Sequence, residues 1–281
     1  MTRNGVCERI LFLRRRIAAI EAQGALAQGN LARPPVAPAQ NPFELLLQNL
    51  GGGSLNEIIP ARPRDSAAAA GFASALALRA VAARPRAVVV WISEDMAARE
   101  IGLPYGKGLE ALGLDPARLV FVRTRNGAES LWAMEEALKS RAAAIVAESW
   151  VAPRAYDLSA SRRLLLAARR GGGLGLLLLL RACGEAARLT SAAQLRFEIA
   201  APPPPERTPG QRLPPPGPPA WRLRIAKARA GLPGLGEVDP LAWRDISFDP
   251  EKAVFHHAFS ERVPAPPADR PDLAPARAGG G

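Results

Sequence analysis

Between Gly51 and Trp150 short apolar runs alternate with helical stretches, and this alternation narrows the choice of folds more than any other feature of the 281-residue chain. A glycine turn, Gly51-Gly52-Gly53, leads into the apolar run Ser54 to Ile59. There follow a loop, an alanine-rich helical stretch to Ala83, the run Ala87 to Ile92, the run Leu119 to Val122, a helical stretch from Ala128 to Ser140, and the run Ala143 to Glu148. Short continuous apolar runs separated by helices belong to strands covered on both faces, as in a parallel sheet flanked by helices. The chain is therefore expected to be α/β with a central, mostly parallel sheet, and its 48% apolar content suffices for such a core.

The punctuation supports the same order. Phe72, Leu76 and Ala80 give the first long helix a buried stripe, Asp65 or Ser66 stands where a cap is needed, and Pro85 ends it. Leu103 to Leu109 reads as a glycine-punctuated loop. Asn126 and Glu129 are spaced for a reciprocal cap on the next helix, in which Trp132 and Met134 read as packing residues. Asp157 or Ser159 caps a further helix through Leu164, Leu165 and Ala168. It stops at Gly171-Gly172-Gly173, before the buried strand Leu174 to Leu180. Leu195 to Ile199 and Trp221 to Ile225 alternate apolar with charged residues, which predicts half-exposed antiparallel strands, and Ala253 to Phe259 is a candidate for one more.

The expected organisation is an amphipathic helix over 1–22, a linker over 23–41, a core over 42–200, a proline-rich connector over 201–220, further strands of the same core over 221–262, and a disordered tail over 263–281.

The loop after the first strand is where an α/β nucleotide-binding fold would hold phosphate. Here it contains Pro60, Arg62, Pro63, Arg64, Asp65 and Ser66 and lacks the Gly-Lys-Ser/Thr that such binding uses. No lysine precedes Lys107, Pro60 and Pro63 remove two amides, and Ala67 to Ala70 supply no hydroxyl. Arg62 or Arg64 is the conceivable substitute for the lysine. Glu94 ends the second strand at the sheet edge where α/β folds place their sites, and Glu148 ends a later strand. Without a bound phosphate, Glu94 is expected to serve as a cap or surface carboxylate and Glu148 to pair with a nearby arginine.

The net charge is +11, but only four of the 37 basic residues are lysines. The surplus admits a polyanion partner without requiring one. Arg154, Arg162, Arg163, Arg169 and Arg170 form the densest basic group and the candidate partner or nucleic-acid surface, with Trp150 and Tyr156 as candidate stacking groups. A solvated helix face is the alternative for each arginine. Cys7 and Cys183 form no framework, His256-His257 lacks a third ligand, and no Gly-x-Ser-x-Gly occurs, so no metal, cofactor or hydrolase site is expected. No apolar stretch is long enough for a signal peptide or membrane span, which points to the cytoplasm.

Gly51 to Ile59 resembles the glycine turn and first strand of RecA-type recombinases. Val89-Val90-Trp91-Ile92-Ser93-Glu94 resembles their second core strand with its glutamate, and Ala144 to Ser149 their Walker B strand. Asp95 to Glu100, Leu103 to Leu109, Gly113 to Leu119 and Leu158 to Leu164 together are similar to the ImuA family, RecA-like accessory proteins of bacterial SOS mutagenesis. The resemblance covers roughly Pro42 to Ala230. It implies a RecA-like core with a degenerate P-loop and no catalysis. It also implies partners in translesion synthesis: an inactive polymerase homologue of the ImuB type, an error-prone DNA polymerase, and RecA on single-stranded DNA. Direct binding of single-stranded DNA and weak ATP hydrolysis through Arg62 or Arg64 with Glu94 and Glu148 are the other two readings.

Overall fold

The apolar runs do become strands, and most of them lie side by side. The computed structural model describes residues 42–257 apart from 49, 85, 153–154, 187, 204–216, 230, 233–234, 236–238 and 240–241. The expected helix over 1–22, the linker over 23–41, the tail over 263–281 and most of the proline-rich connector lie outside the described residues.

In chain order the elements are α1 (Pro42–Gln48), β1 (Ser54–Pro60), a 3-10 turn (Pro63–Asp65), α2 (Ser66–Ala82), β2 (Val89–Glu94), α3 (Asp95–Ile101) and α4 (Gly106–Ala111). A second 3-10 turn (Pro116–Arg118) precedes β3 (Leu119–Thr124), α5 (Gly127–Leu138), β4 (Ala144–Ser149), α6 (Leu158–Gly171) and β5 (Leu174–Leu179). The last described elements are β6 (Leu195–Ala200), β7 (Ala220–Ala228), β8 (Arg244–Asp249) and β9 (Val254–His257).

Among the described residues these strands make one nine-stranded sheet in the order β3-β2-β4-β5-β1-β6-β7-β8-β9. The pairs from β3 through β6 are parallel, and β7, β8 and β9 are added antiparallel. Every residue of β1, β2, β4 and β5 is buried, which explains why they read as unbroken apolar runs. Phe72 and Leu76 of α2, with Phe43, Leu46 and Leu47 of α1, fill one face of the sheet. Met134 and Leu138 of α5 and Leu164 and Leu165 of α6 fill the other.

Several local expectations give way to tertiary context. β6 is not a half-exposed antiparallel strand: it pairs parallel to β1 on one side and antiparallel to β7 on the other, and all but its last residue are buried. Its charged residues, Arg196 and Glu198, are neutralised inside the fold by Glu57 and Arg224. β7 does alternate between buried and half-buried residues, as expected. β8 has no counterpart in the sequence reading, because Arg244-Asp245-Ile246-Ser247-Phe248-Asp249 offers only two apolar residues. Both of them, Ile246 and Phe248, are fully buried. Part of the expected loop at Leu103 to Leu109 winds into α4 from Gly106.

The caps divide in the same way. Asp157 Oδ1 accepts from Ala160 N at 2.7 Å, and Asn126 Oδ1 accepts from Glu129 N at 3.0 Å. Glu129 does not reciprocate to Asn126. Its carboxylate takes the Arg125 amide at 2.9 Å and the Arg125 guanidinium instead. Trp132, expected in the core, is 63% exposed.

Candidate functional site

At the carboxyl edge of the sheet, β1 passes into the 3-10 turn and α2, and the polar groups of this passage are taken up by the fold. Ala61 N donates to Ile199 O at 2.7 Å and Asp65 N to Arg62 O at 2.9 Å. Ser66 N donates to Pro63 O, and Ser66 Oγ donates to the same carbonyl at 2.7 Å. Neither Asp65 nor Ser66 caps α2 through its side chain: Asp65 Oδ1 accepts from Ala201 N at 3.1 Å, tying the turn to the end of β6. Pro60 and Pro63 have no N–H, and Arg62 and Arg64 stand exposed. The adjoining cleft is lined by Pro63, Ser66, Glu100, Trp150, Arg181 and Cys183 among others, and its volume is about 230 Å³. Small-molecule sites usually occupy about 300–1,000 Å³.

The two carboxylates at this edge differ. Glu94 is buried, but as neither a helix cap nor a surface group: its Oε2 accepts from Ser149 Oγ at 3.0 Å and from Trp150 N at 2.7 Å, joining the end of β2 to that of β4. Glu148 is 1% exposed and forms no ion pair with an arginine among the described residues, contrary to expectation. Ser93 is its register partner on β2, and Glu148 Oε2, Ser93 Oγ and Trp91 Nε1 have no hydrogen-bond partner among the described residues. Burial pushes the Glu148 carboxyl above the ordinary carboxylate range, and the dipoles of Trp91 and Ser93 pull against that shift.

Because the folded chain holds this proton more tightly than the unfolded one, Glu148 contributes stability at acid pH and loses it as pH rises through its folded pKa. Glu148→Gln is therefore expected to stabilise the protein at neutral pH, since an amide avoids the buried charge. The gain should vanish below the ordinary carboxylate range. Urea unfolding at a series of pH values measures it. A loss of stability of equal size at every pH would contradict the assignment.

Four of the five arginines expected to act as one surface lie on α6. Arg162, Arg163, Arg169 and Arg170 are all exposed on α6, whose opposite side buries Leu164, Leu165, Ala167 and Ala168. Arg154 lies outside the described residues. Arg163 pairs with Glu135 of α5 at 2.5 Å. Arg169 and Arg170 lie in the last turn of α6, about 10 Å along the axis from Arg162. Tyr156 is not available for stacking: it is buried, and its hydroxyl donates to Glu57 Oε1 at 2.8 Å. Trp150 is half-buried against the α2-side core.

Sequence reasoning missed the charge cluster that Tyr156 joins. Arg196 Nε donates to Glu57 Oε2 at 2.5 Å, one terminal nitrogen donates to Ala186 O and Leu189 O at 2.5 and 2.8 Å, and the other donates to Ser191 Oγ at 3.0 Å. Lys227 of β7 donates to Ser191 O and Oγ. Burial, and then the neighbouring Glu57 charge, push the Tyr156 hydroxyl well above its usual range, while burial lowers Lys227. The cluster fastens the segment between β5 and β6 onto the sheet. Its only sequence signal was an acid inside one apolar run and a base inside another.

The architecture is that of a mixed α/β protein with a mostly parallel sheet flanked by helices, consistent with a RecA-like core. No helix among the described residues is long and apolar enough to cross a membrane. No family model matches the chain. It is 38% identical over 196 residues to Protein ImuA of Caulobacter vibrioides, strain NA1000 / CB15N, a match covering 65% of this chain and 72% of that protein. The same figures hold for Protein ImuA of strain ATCC 19089 / CIP 103742 / CB 15. The chain belongs to the ImuA family.

Proposed function

We propose that this chain is a non-catalytic accessory protein of SOS-induced mutagenesis and translesion synthesis. It acts by contact with an inactive polymerase homologue of the ImuB type, an error-prone DNA polymerase and RecA. Membership of the ImuA family supports involvement in the SOS mutagenesis cassette. The observation that carries the non-catalytic reading is the passage from β1 to α2. A triphosphate needs a run of free amides, a cation and a hydroxyl for magnesium. At this position the amides of Ala61, Asp65 and Ser66 and the hydroxyl of Ser66 are already bonded within the chain. We infer that the residues present do not fit a magnesium triphosphate and that the P-loop is degenerate.

The contact reading gains support from the free edge of the sheet. β3 pairs only with β2 among the described residues, and it exposes Val120 and Phe121. Native sheets normally cover or charge such an edge, so an uncovered apolar one suits a protein partner.

Isothermal titration with ATP and magnesium is expected to give no heat of binding. Affinity capture from damaged cells is expected to recover a polymerase homologue or RecA. Tight ATP binding with turnover lost in Glu94→Ala, or capture of neither partner, would overturn the reading.

A further inference from the structure

The opposite edge of the sheet, where the parallel strands begin, is where the fold gathers arginine. Arg84 and Arg86 precede β2, Arg141 precedes β4, and Arg169 and Arg170 close α6 just before β5. Arg84 donates to Gly172 O at 2.7 Å, and Arg118 donates to Ala87 O and Arg84 O at 2.6 and 2.8 Å. Close packing draws the pieces together. Gly172 caps α6 with φ of 73°, and a Cβ on Gly171 would lie 2.0 Å from Leu138 O and 2.5 Å from Ser140 O. Arg84, Arg86, Ala87 and Arg141 line an open groove of about 510 Å³.

We propose that this groove binds the phosphodiester backbone of nucleic acid. The proposal goes beyond the accessory reading and does not rest on it. The simplest competing account is that arginines here offset helix carboxyl ends. Those of α2, α5 and α6 all reach this edge, and each is worth about half a negative charge, so about −1.5 together. Five guanidinium groups exceed that sum. None of Arg84, Arg86, Arg141, Arg169 and Arg170 is in an ion pair among the described residues. The acids of this edge are engaged elsewhere: Asp115 Oδ1 accepts from Ala117 N, and Glu136 pairs with Lys139. Arg86 and Arg141 are exposed and free of side-chain bonds among the described residues, so their donors are available.

The cations are also spread out. β2, β4 and β5 are consecutive in the sheet, and neighbouring strands lie about 4.8 Å apart, so the row spans roughly 10 Å or more. A row suits successive phosphates better than one phosphomonoester does. A lipid surface would need apolar side chains beside the cations, and among the described residues Ala87 is the one apolar residue lining the groove.

Fluorescence anisotropy with a labelled oligothymidylate and a duplex of equal length, over a salt series, tests the site. Arg86→Ala/Arg141→Ala is expected to weaken binding several-fold at low salt. It should also flatten the slope of log K against log salt by about 1.4 for the single strand, two contacts at about 0.7 each. Arg99→Ala/Lys107→Ala, two exposed cations on α3 and α4 at the other end of β2, is the control, expected to leave both quantities unchanged. Arg86→Glu alone should weaken binding by itself, and unchanged thermal unfolding of each variant shows the fold is intact. Unchanged affinity and slope in the double variant, a parent chain that binds neither oligonucleotide at low salt, or binding only to phosphatidylglycerol vesicles would each overturn the proposal.

Discussion

Arg196→Ala should cost this protein about 3–5 kcal/mol of stability, a large part of what a single domain has. The loss comes from what is left behind. Arg196 and Glu57 are 1% and 0% exposed, and they meet at 2.5 Å between adjacent parallel strands. Removing the guanidinium strands the Glu57 carboxylate in the sheet with Tyr156 as its remaining hydrogen-bond donor among the described residues, and it also frees Ala186 O and Leu189 O and leaves Ser191 Oγ to Lys227 alone. Replacing both partners, as in Glu57→Leu/Arg196→Met, should cost far less, because no buried charge then lacks its partner. Urea unfolding of the two single variants and the double variant measures the coupling. If the singles and the double lose the same amount, or Arg196→Ala loses less than about 1 kcal/mol, the pair is not the fastening described.

Phe72→Ala should cost about as much, 3–5 kcal/mol, for an apolar reason. Phe72 is fully buried in the middle of α2, with its ring centroid 5.3 Å from Phe197 of β6, 5.8 Å from Trp221 of β7 and 5.7 Å from Phe255 of β9. It is the ring through which the long helix grips both the parallel half of the sheet and its antiparallel extension. Truncation leaves a cavity that three neighbouring rings cannot close without moving strands. Trp132→Ala on α5 is the informative contrast. That ring is exposed, so its loss should change stability by no more than about 0.5 kcal/mol. Denaturant unfolding of both variants decides the matter, and equal effects would place Trp132 in a packing role that the structure denies it.

How far the fold was legible follows from how each element is buried. β1, β2, β4 and β5 are covered on both faces, so their requirement for apolar side chains is written into consecutive residues. β8 sits near the sheet's far edge, needs only Ile246 and Phe248 inside, and leaves no comparable trace. β6 misled for a different reason: Arg196 and Glu198 look solvent-facing until the strands bearing Glu57 and Arg224 are placed beside them. Of the candidate site, the missing lysine, Pro60 at the end of β1 and Pro63 just after it were visible in order. The bonding of Ser66 to Pro63 and of Asp65 to Ala201 was not, since the latter joins residues 136 apart.

The sequence by itself determined the α/β class, the run of central strands, the cap at Asn126, a cap at Asp157 or Ser159, and the absence of a lysine before β1 ends. These depend on period, spacing and residue type, which are local properties. Only the tertiary structure decided where charge would gather. It sank Glu57 and Arg196 into the sheet, paired Arg163 with Glu135, and brought Arg84, Arg86 and Arg141 to one edge. The reason is geometric: each parallel connection returns the chain to the same end of the sheet. Residues far apart in sequence but equivalent in the repeating strand-helix pattern therefore become neighbours, and their fields add in a way no local window records.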